Sequence, residues 1–342
     1  MSKMKVAIIG SDKIDSMEYH ISDAFSELGH EVKIFDSHNF IKFGNSKLNS
    51  VSYSIDNFIR IHSDRYDQKK HNKIRSLIKN YEPELIVCFY RDIHPSLIND
   101  LKNDSNSIIH INPDAMTTLG YQQVFAANYD AWFTKDRYMA RFMKDNMHLR
   151  TFIYNEAFNH RFNPKPKCDK REMEQKVNIE ISTYGTLYPY RVRMLNEIRK
   201  GIDADFKIYG VKPHRFFNSE LATCFTGEYI YGMRKSEVLY GSKIVLNNMH
   251  FAEIESVNCR FFEINGSGGF QLSDYRPILK ELLPIDPELV SFKNTNEAIS
   301  KIKYYLSHPD ERYELASIIY QHFINNYTYD HLVQHVLDCL EL

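Results

Sequence analysis

The chain opens with short apolar runs that alternate with segments of helical periodicity. The run at 5–10 is typical of a buried strand. The apolar residues that follow it recur at helical spacing, at Met17, Ile21, Phe25 and Leu28. A second apolar run at 30–36 predicts another strand, so the chain starts with a βαβ unit of the kind that begins a Rossmann-like parallel sheet.

The same alternation occurs in two separate series. In the first series, further strands are predicted at 85–90, 107–111, 131–134 and 151–154, with helices at 74–81, 97–101 and 138–144. In the second series, strands are predicted at 178–185, 206–210, 243–247 and 270–272, with helices at 192–198 and 260–265 and a helical C-terminal segment. Two such series predict an α/β protein with two Rossmann-like domains.

The segment 159–177 separates the two series. It is polar and charged and contains two prolines, a composition typical of a linker. The predicted organisation is a first domain at 1–160, a linker at 161–177, a second domain at 178–320, and a C-terminal helix at 321–342 that returns toward the first domain. We expect the strand carboxyl ends of the two sheets to face each other across a cleft, where ligands of such sheets bind.

Composition excludes several classes of protein. Lysine and arginine number 43 against 44 aspartate and glutamate, so there is no basic excess for general nucleic-acid binding. The five cysteines form no C-x-x-C pair, which argues against a zinc ribbon or a disulfide framework. No apolar stretch approaches the roughly 20 residues that a membrane span needs. The expected location is therefore the cytoplasm.

Several common cofactor and metal motifs are missing. The first strand is followed by Gly10 without G-x-G-x-x-G, and no P-loop sequence occurs. His331 and His335 are four residues apart but have no third ligand nearby. The pair Asp203 and Asp205 precedes a predicted strand, at the wrong end of the sheet for a ligand site. Neither a metal nor a cofactor is predicted.

The segment 242–275 carries the most information about chemistry. It predicts a strand, a loop, a helix that begins near Asn258, a glycine-rich loop and another strand. A helix N-terminus presents free N–H groups suited to a diphosphate, and a carboxylate at Glu263 has the two oxygens needed to meet both hydroxyls of a ribose. The alternative is that Glu263 faces solvent and the glycines only end the helix.

Residues 257–274 resemble the C-terminal signature of CgeB-like (spore maturation protein type) glycosyltransferases, approximately N-x-R-x-F-E-x-x-A-x-G-G-F-x-L-x-D. The flanking segments agree: G-T-L-Y-P-Y-R at 185–191 and S-K-I-V-L-N at 242–247 resemble family motifs, as do the closing helices around 304–312 and 327–329. Asn265 and Ser267 depart from the small apolar residues that are usual there.

The resemblance implies a GT-B fold, with an acceptor-binding first domain and a second domain that binds a nucleotide sugar. In this family pattern Glu263 would hold the ribose. We expect its replacement with glutamine to leave the fold intact, because a carboxylate in a cleft is not part of the core packing. Glu255 would face the sugar. The other implied donor-binding residues, which include the cations for the diphosphate and the glycines that approach the donor by their backbone, are Gly185, Arg191, Lys243, Asn247, Asn258, Arg260, Gly268 and Gly269.

Two residues of the first domain are candidates for the base that deprotonates an acceptor hydroxyl. His94 follows the strand at 85–90, and Asp114 follows the strand at 107–111. The alternative for each is a turn residue that caps a helix or a loop.

We therefore predict a metal-independent glycosyltransferase that moves a sugar from a nucleotide diphosphate sugar to an unknown acceptor: a glycan, a protein or a small molecule. The near-neutral charge argues against a nucleic-acid base as acceptor. Two alternatives stay open at this point: a nucleotide-sugar epimerase or hydrolase on the same fold, and a non-catalytic nucleotide-sugar-binding protein.

Overall fold

The computed structural model describes residues 3–36, 46–114, 122–213, 217 and 219–342. The chain divides into two compact units. The first contains Met1–Tyr154 together with Val333–Leu342, and the second contains Asn155–Leu332.

The first unit is built on a six-stranded parallel sheet. Its strands are β1 (Lys5–Ile9), β2 (Glu31–Phe35), β3 (Leu85–Cys88), β4 (Ser107–Asn112), β5 (Ala131–Thr134) and β6 (Thr151–Ile153). Their order in the sheet is β2-β1-β3-β4-β5-β6. The central strands β1, β3 and β4 are almost entirely buried, which explains the apolar runs of β1 and β3 and the three isoleucines of β4.

The helices of the first unit connect these strands. They are α1 (Met17–Glu27), α2 (Ser46–His62), α3 (Asp64–Tyr81), α4 (Pro95–Leu101) and α5 (Arg137–Asp145), with a 3₁₀ helix at Gln122–Ala126. Local signals set their ends: the Ser16 side chain accepts a hydrogen bond from the Tyr19 N–H at the start of α1, and Glu82 ends α3 in the left-handed conformation.

The second unit has a five-stranded parallel sheet. Its strands are β7 (Ile179–Tyr184), β8 (Phe206–Tyr209), β9 (Ser242–Asn247), β10 (Gln271–Asp274) and β11 (Ser291–Phe292), in the order β11-β10-β9-β7-β8. The strand order reverses between β7 and β9. The crevice beyond the carboxyl ends of these two strands is therefore the topological switch point, where open parallel sheets bind their ligands.

The helices of the second unit cover both faces of this sheet. They are α6 (Lys170–Val177), α7 (Pro189–Lys200), α8 (Ser219–Ala222), α9 (Gly232–Gly241), α10 (Cys259–Gly266), α11 (Leu279–Leu282), α12 (Pro287–Val290), α13 (Thr295–Ser307) and α14 (Pro309–Asn326). The last helix, α15 (Tyr329–Leu340), begins in this unit, and its residues from Val333 onward belong to the first. The larger apolar core of the unit lies between the sheet and α7, α10, α13 and α14. The two-domain α/β fold predicted from the sequence is confirmed.

The segment 161–177, for which a linker is predicted, contains α6 and lies within the second unit. Asp169 caps this helix, and Met173 is buried. Gly241 lets α9 approach α6 closely, because a Cβ at this position would lie 3.1 Å from the Met173 carbonyl oxygen. The division between the units passes through α15. None of the helices in the described ranges is long and apolar enough to cross a membrane.

Candidate functional site

Two guanidinium groups meet at the switch point of the second sheet. Gly185 follows β7 directly and has a φ of +98°. A Cβ at Gly185 would lie 2.7 Å from Nη1 of Arg260 and 3.6 Å from Nη1 of Arg191. Only glycine combines this backbone conformation with the space that the two arginines occupy. The turn after β7 therefore brings together two cations that are 69 residues apart in the sequence.

Arg191 reaches the site from the first turn of α7. Its side chain is 1% exposed and donates hydrogen bonds to Thr183 Oγ1 (2.6 Å) and to the carbonyl oxygens of Tyr184 (2.9 Å) and Thr186 (3.0 Å). Burial, and then the nearby charge of Arg260, lower the pKa of the Arg191 guanidinium well below its usual value. A neighbouring anion would offset this cost, because it favours the charged form.

Arg260 reaches the same place from the N-terminal turn of α10. Its Nε donates to Asn247 Oδ1 (3.1 Å) and its Nη2 to the Asn248 carbonyl oxygen (2.8 Å). Asn247 is fully buried at the end of β9, and Asn258 donates to its Oδ1 (3.2 Å). Asn258 is also the N-cap of α10, since its side chain accepts a hydrogen bond from the Phe261 N–H. These amides fix the direction of the Arg260 side chain.

The arginine pair has the properties of an anion site. Among the described residues, no carboxylate lies within ion-pair distance of Arg191 or Arg260. The buried side-chain amide of Asn248 and the Nε of Arg191 have no hydrogen-bond partner in the described part of the chain. Buried polar groups are normally hydrogen-bonded. Together with the N-terminus of α10, these groups form a site suited to a diphosphate or a similar anion.

Glu263 lies one turn further along α10 and is held from two sides. Its Oε1 accepts a hydrogen bond from Lys235 Nζ (2.7 Å), and its Oε2 accepts one from the Tyr184 hydroxyl (2.6 Å). The exposed fractions of the Lys235 and Glu263 side chains are 6% and 14%. Glu263 does not pair with Arg260. Because the carboxylate forms a buried ion pair, we expect glutamine at this position to lower the stability of the unit. That the fold survives this change stays a prediction.

The same edge of the sheet carries an acid and an aromatic cluster. Asp274 ends β10, accepts a hydrogen bond from the Met249 N–H (2.6 Å) and pairs with Arg276 (3.1 Å). The aromatic cluster consists of Tyr188, Tyr190, His250 and Phe251, with ring centroids 4.3–6.1 Å apart along the chain of contacts. Phe251 is 72% exposed. An exposed aromatic ring beside a polar site is typical of a ligand-binding surface.

Lys243 does not belong to this site. It lies at the amino end of β9, the opposite edge of the sheet from the arginine pair, and its Nζ pairs with Glu180 Oε1 at 2.9 Å. Its predicted role as a diphosphate ligand is therefore wrong. A parallel strand of six residues separates its two ends by roughly 17 Å.

Gly268 and Gly269 are also placed at the amino edge of the sheet, just before β10. Gly268 has a φ of +75°, and a Cβ at Gly269 would lie 2.7 Å from the Leu239 carbonyl oxygen. These glycines let the chain turn sharply after α10 and pack against α9. The prediction that their backbone approaches the donor is wrong, because α10 runs from the ligand edge of the sheet to the opposite edge.

Glu255 lies half-buried in the loop between β9 and α10, on the ligand edge of the sheet. Its role toward a sugar stays a prediction.

Three residues of the site were not predicted from the sequence: Tyr184, Lys235 and Asn248. Lys235 lies on α9, a helix with no strong apolar periodicity, so only the folded structure shows that it meets Glu263. Asp274 could have been selected, because it is the last residue of the signature.

The two candidate bases of the first unit, His94 and Asp114, differ in their hydrogen-bond partners. His94 is the N-cap of α4: its Nδ1 accepts from the Ser96 N–H (3.2 Å), and its Nε2 lies 2.9 Å from Asp64 Oδ1. This arrangement matches the capping alternative. Asp114 is exposed, and its carbonyl oxygen accepts a hydrogen bond from Asn112.

A different carboxyl lies at the switch point of the first sheet, between β1 and β3. Glu18 is 7% exposed and accepts a hydrogen bond from the Ser11 N–H at 3.0 Å. Burial raises the pKa of this carboxyl above its usual value. Nearby, the Tyr90 hydroxyl donates to Asp36 Oδ1 (3.2 Å). The sequence pattern did not single out Glu18 as a site residue, because an acidic residue in the first turn of a helix is common.

The metal candidates have other partners. His331 Nδ1 lies 2.7 Å from Thr328 Oγ1, and His335 Nε2 lies 2.9 Å from the Ile153 carbonyl oxygen. Asp205 pairs with Lys207. Within the described ranges, no three His, Cys, Asp or Glu side chains are grouped closely enough to hold a metal ion.

Comparison with known proteins defines the class. Residues 191–338 match the family described as glycosyl transferase-like. Sucrose-phosphate synthase from Thermosynechococcus elongatus superimposes with a TM-score of 0.69 at 11% identity, over 99% of this chain and 98% of that chain. A glycosyltransferase from Rickettsia africae gives a TM-score of 0.65 at 12% identity, over 99% and 98%. HepE of Anabaena in complex with UDP and glucose gives 0.64 at 10% identity, over 99% and 100%. No curated protein sequence matches the chain.

These superpositions cover 99% of the chain and show that it has the GT-B fold. Residues 191–338 form a glycosyl transferase-like domain. The predicted fold class and enzyme class are confirmed.

Proposed function

We propose that the protein transfers a sugar from a nucleotide diphosphate sugar, without a metal ion, and that the donor diphosphate binds between Arg191 and Arg260. The observation that carries this proposal is the arginine pair itself. Two guanidinium groups converge at the switch point of the second sheet, beside the N-terminus of α10. Asp274 is the nearby carboxylate that acts on both arginines by its charge, but no described carboxylate lies within ion-pair distance of either.

The site supports a defined course of reaction. When the bond between the sugar and the diphosphate breaks, the leaving diphosphate gains negative charge. Arg191 and Arg260 would stabilise that charge, and they are already oriented by Thr183, Asn247 and the Asn248 carbonyl oxygen. The acceptor oxygen forms a bond to the anomeric carbon as the bond from that carbon to the diphosphate breaks, and the hydroxyl proton passes to solvent water.

The nucleoside and the sugar would extend in different directions from the diphosphate. Glu263 and Tyr184 lie on the α9 side of the sheet and offer a carboxylate to the ribose. The aromatic cluster and Glu255 lie on the loop that precedes α10, where they would contact the sugar. Asn258 would contribute the capped N-terminus of α10. The CgeB-like signature at 257–274 supports the same assignment of the ribose to Glu263.

The first test is a panel of nucleoside diphosphates and nucleotide diphosphate sugars measured by thermal shift and calorimetry. UDP-sugars come first, because HepE is described in complex with UDP and glucose. A donor at 100 times its dissociation constant should stabilise the protein by about 2.7 kcal/mol. Product analysis with the best donor should show sugar transfer to an added acceptor. Isomerised sugar, or binding without turnover, would contradict the proposal.

Removing divalent metals should leave the activity unchanged. The charge of the leaving diphosphate would be met by Arg191 and Arg260, so a metal has no role in this scheme. Initial rates measured in EDTA, and again after addition of Mg²⁺ or Mn²⁺, provide the check. Loss of activity in EDTA with recovery on adding metal would show that an ion, and not the arginine pair alone, carries the charge.

Replacing Glu263 with glutamine should remove the preference for ribose. The wild-type protein is expected to bind a nucleoside diphosphate about tenfold more tightly than its 2′-deoxy analogue, because a hydroxyl-to-carboxylate hydrogen bond is worth about 1.5–3 kcal/mol. Glu263→Gln should reduce this ratio to near one.

The matched control is Lys235→Gln, which breaks the same ion pair but keeps the carboxylate. Both variants should melt at lower temperature, because each leaves a buried group without its partner. Only Glu263→Gln should lose the ribose preference. An unchanged ratio in Glu263→Gln would restrict this residue to a structural role.

A further inference from the structure

A cavity lies in the second unit, at the opposite edge of its sheet from the arginine pair. It has a volume of about 370 Å³ and is lined by residues that precede or begin α6, by the end of α9 and by α14. Its principal side chains are Lys165, Lys170, Tyr240, Tyr313 and Tyr320. We call it the tyrosine–lysine pocket. None of these residues has a part in the proposed donor site.

Lys165 is the central cation of the pocket. Its ammonium group lies 5.0 Å from the ring centroids of both Tyr240 and Tyr320. Among the described residues, no carboxylate lies within ion-pair distance of Lys165. Gly268 makes room for it, since a Cβ there would lie 3.1 Å from Cδ and Cε of Lys165. Gly268 does not approach the donor, but it is needed here because a larger residue would displace the Lys165 side chain.

Lys170 adds a second, buried cation. It is 8% exposed, donates to the Tyr240 carbonyl oxygen (2.5 Å) and lies 3.6 Å from Glu174 Oε1. Glu174 does not neutralise it fully, because that carboxylate is bound by both Nη atoms of Arg312, at 2.6 and 3.1 Å. Burial lowers the pKa of Lys170 to about 8, and Glu174 only partly opposes this effect.

The charges around the pocket leave a positive excess. Arg171 pairs with Asp310, and Asp169 caps α6 at the rim. The cations are Lys165, Lys170, Arg171 and Arg312, and the carboxylates are Asp169, Glu174 and Asp310. An anion that enters the pocket would meet two ammonium groups and, at the walls, the Tyr320 hydroxyl and the side chains of Ser317 and Gln321, which can donate hydrogen bonds. The Tyr240 and Tyr313 hydroxyls already donate to the Cys168 carbonyl oxygen and to Glu174.

From this geometry we infer that the tyrosine–lysine pocket is a second anion-binding site, distinct from the donor site, and that it takes a phosphate group. Lys165 and Lys170 contact the phosphate as point charges, the manner in which lysine usually binds phosphate. The cavity, of about 370 Å³, has room for a small phosphorylated compound as well as for inorganic phosphate. Inorganic phosphate and a sugar phosphate would both be recognised through the phosphate group.

The test uses the full chain with Arg260→Gln, so that the donor site does not compete for the anion. Inorganic phosphate and glucose 1-phosphate are titrated separately by calorimetry at constant ionic strength. We expect saturable binding of at least one of them, and a loss of about tenfold or more in affinity when Lys165→Gln is added. Lys165→Arg, which keeps the charge, should retain binding.

Lys176→Gln is the matched control, because Lys176 is an exposed lysine on α6, the helix that carries Lys170. It should leave the affinity unchanged. The inference is overturned if neither compound binds in the Arg260→Gln protein, or if Lys165→Gln and Lys176→Gln have the same affinity. The compound that binds more tightly distinguishes free phosphate from a phosphorylated sugar as the natural source.

Discussion

Replacing Arg260 with glutamine is expected to weaken donor binding by about tenfold to a hundredfold and to lower the transfer rate at saturating donor. Each charge-assisted hydrogen bond to the diphosphate is worth about 1.5–3 kcal/mol, and about 1.4 kcal/mol corresponds to tenfold in affinity. The rate falls as well, because the diphosphate gains charge as it leaves. Calorimetry with a nucleotide diphosphate sugar measures the first effect and initial rates measure the second.

The fold should tolerate this change. Arg260 is half-buried, and its hydrogen bonds go to the neutral side chain of Asn247 and to the Asn248 carbonyl oxygen, so its removal leaves no buried charge without a partner. Arg193→Gln is the control, because Arg193 lies on α7 close to Arg191 in sequence but is exposed. Equal donor affinities in Arg260→Gln and Arg193→Gln would show that Arg260 does not contact the donor.

Among the substitutions proposed for this protein, Arg312→Met should lower the free energy of unfolding most, by about 3–5 kcal/mol. Arg312 is 1% exposed, forms a two-pronged ion pair with Glu174, and donates to the carbonyl oxygens of Lys243 (2.9 Å) and Tyr305 (3.2 Å). Its removal leaves a buried carboxylate without its main partner. We expect the midpoint of thermal unfolding to fall by roughly 10 °C.

The double variant Arg312→Met, Glu174→Met separates the two causes of this loss. If most of it comes from the unpaired Glu174 carboxylate, removing that carboxylate should recover part of the stability, because apolar replacement of a whole buried pair is often well tolerated. A loss below about 1 kcal/mol in the single variant would mean that solvent reaches the pair and that its burial has little energetic weight.

The apolar pattern was sufficient to predict the two sheets apart from the two-residue strand β11. The strands β1 and β3 are nearly continuous apolar runs because a parallel strand in a doubly covered sheet is buried on both faces. The same pattern did not show α6. Most of its residues are polar, and its contribution to the core is small, so its composition matched a linker even though it packs against α9.

The position of a residue along a strand decides which edge of the sheet it reaches. The signature and its flanking motif at 242–247 predicted donor contacts for Lys243, Gly268 and Gly269, yet these residues lie at the amino edge because β9 and β10 begin there. Arg260 and Asn258 lie at the ligand edge because α10 starts where β9 has ended. Spacing in the sequence shows that such residues are near one another in the chain, but strand direction determines whether they share a site.

By itself, the sequence determined the parallel α/β architecture, the division into two βαβ series and the helix with Asn258 at its cap, because these depend on local periodicity and capping. Only the tertiary structure decided that Arg191 meets Arg260 and that Glu263 pairs with Lys235. Those contacts join α7, α9 and α10 across β7 and β9. They depend on the order of strands in the sheet and on the room left by a glycine at 185, which no local pattern encodes.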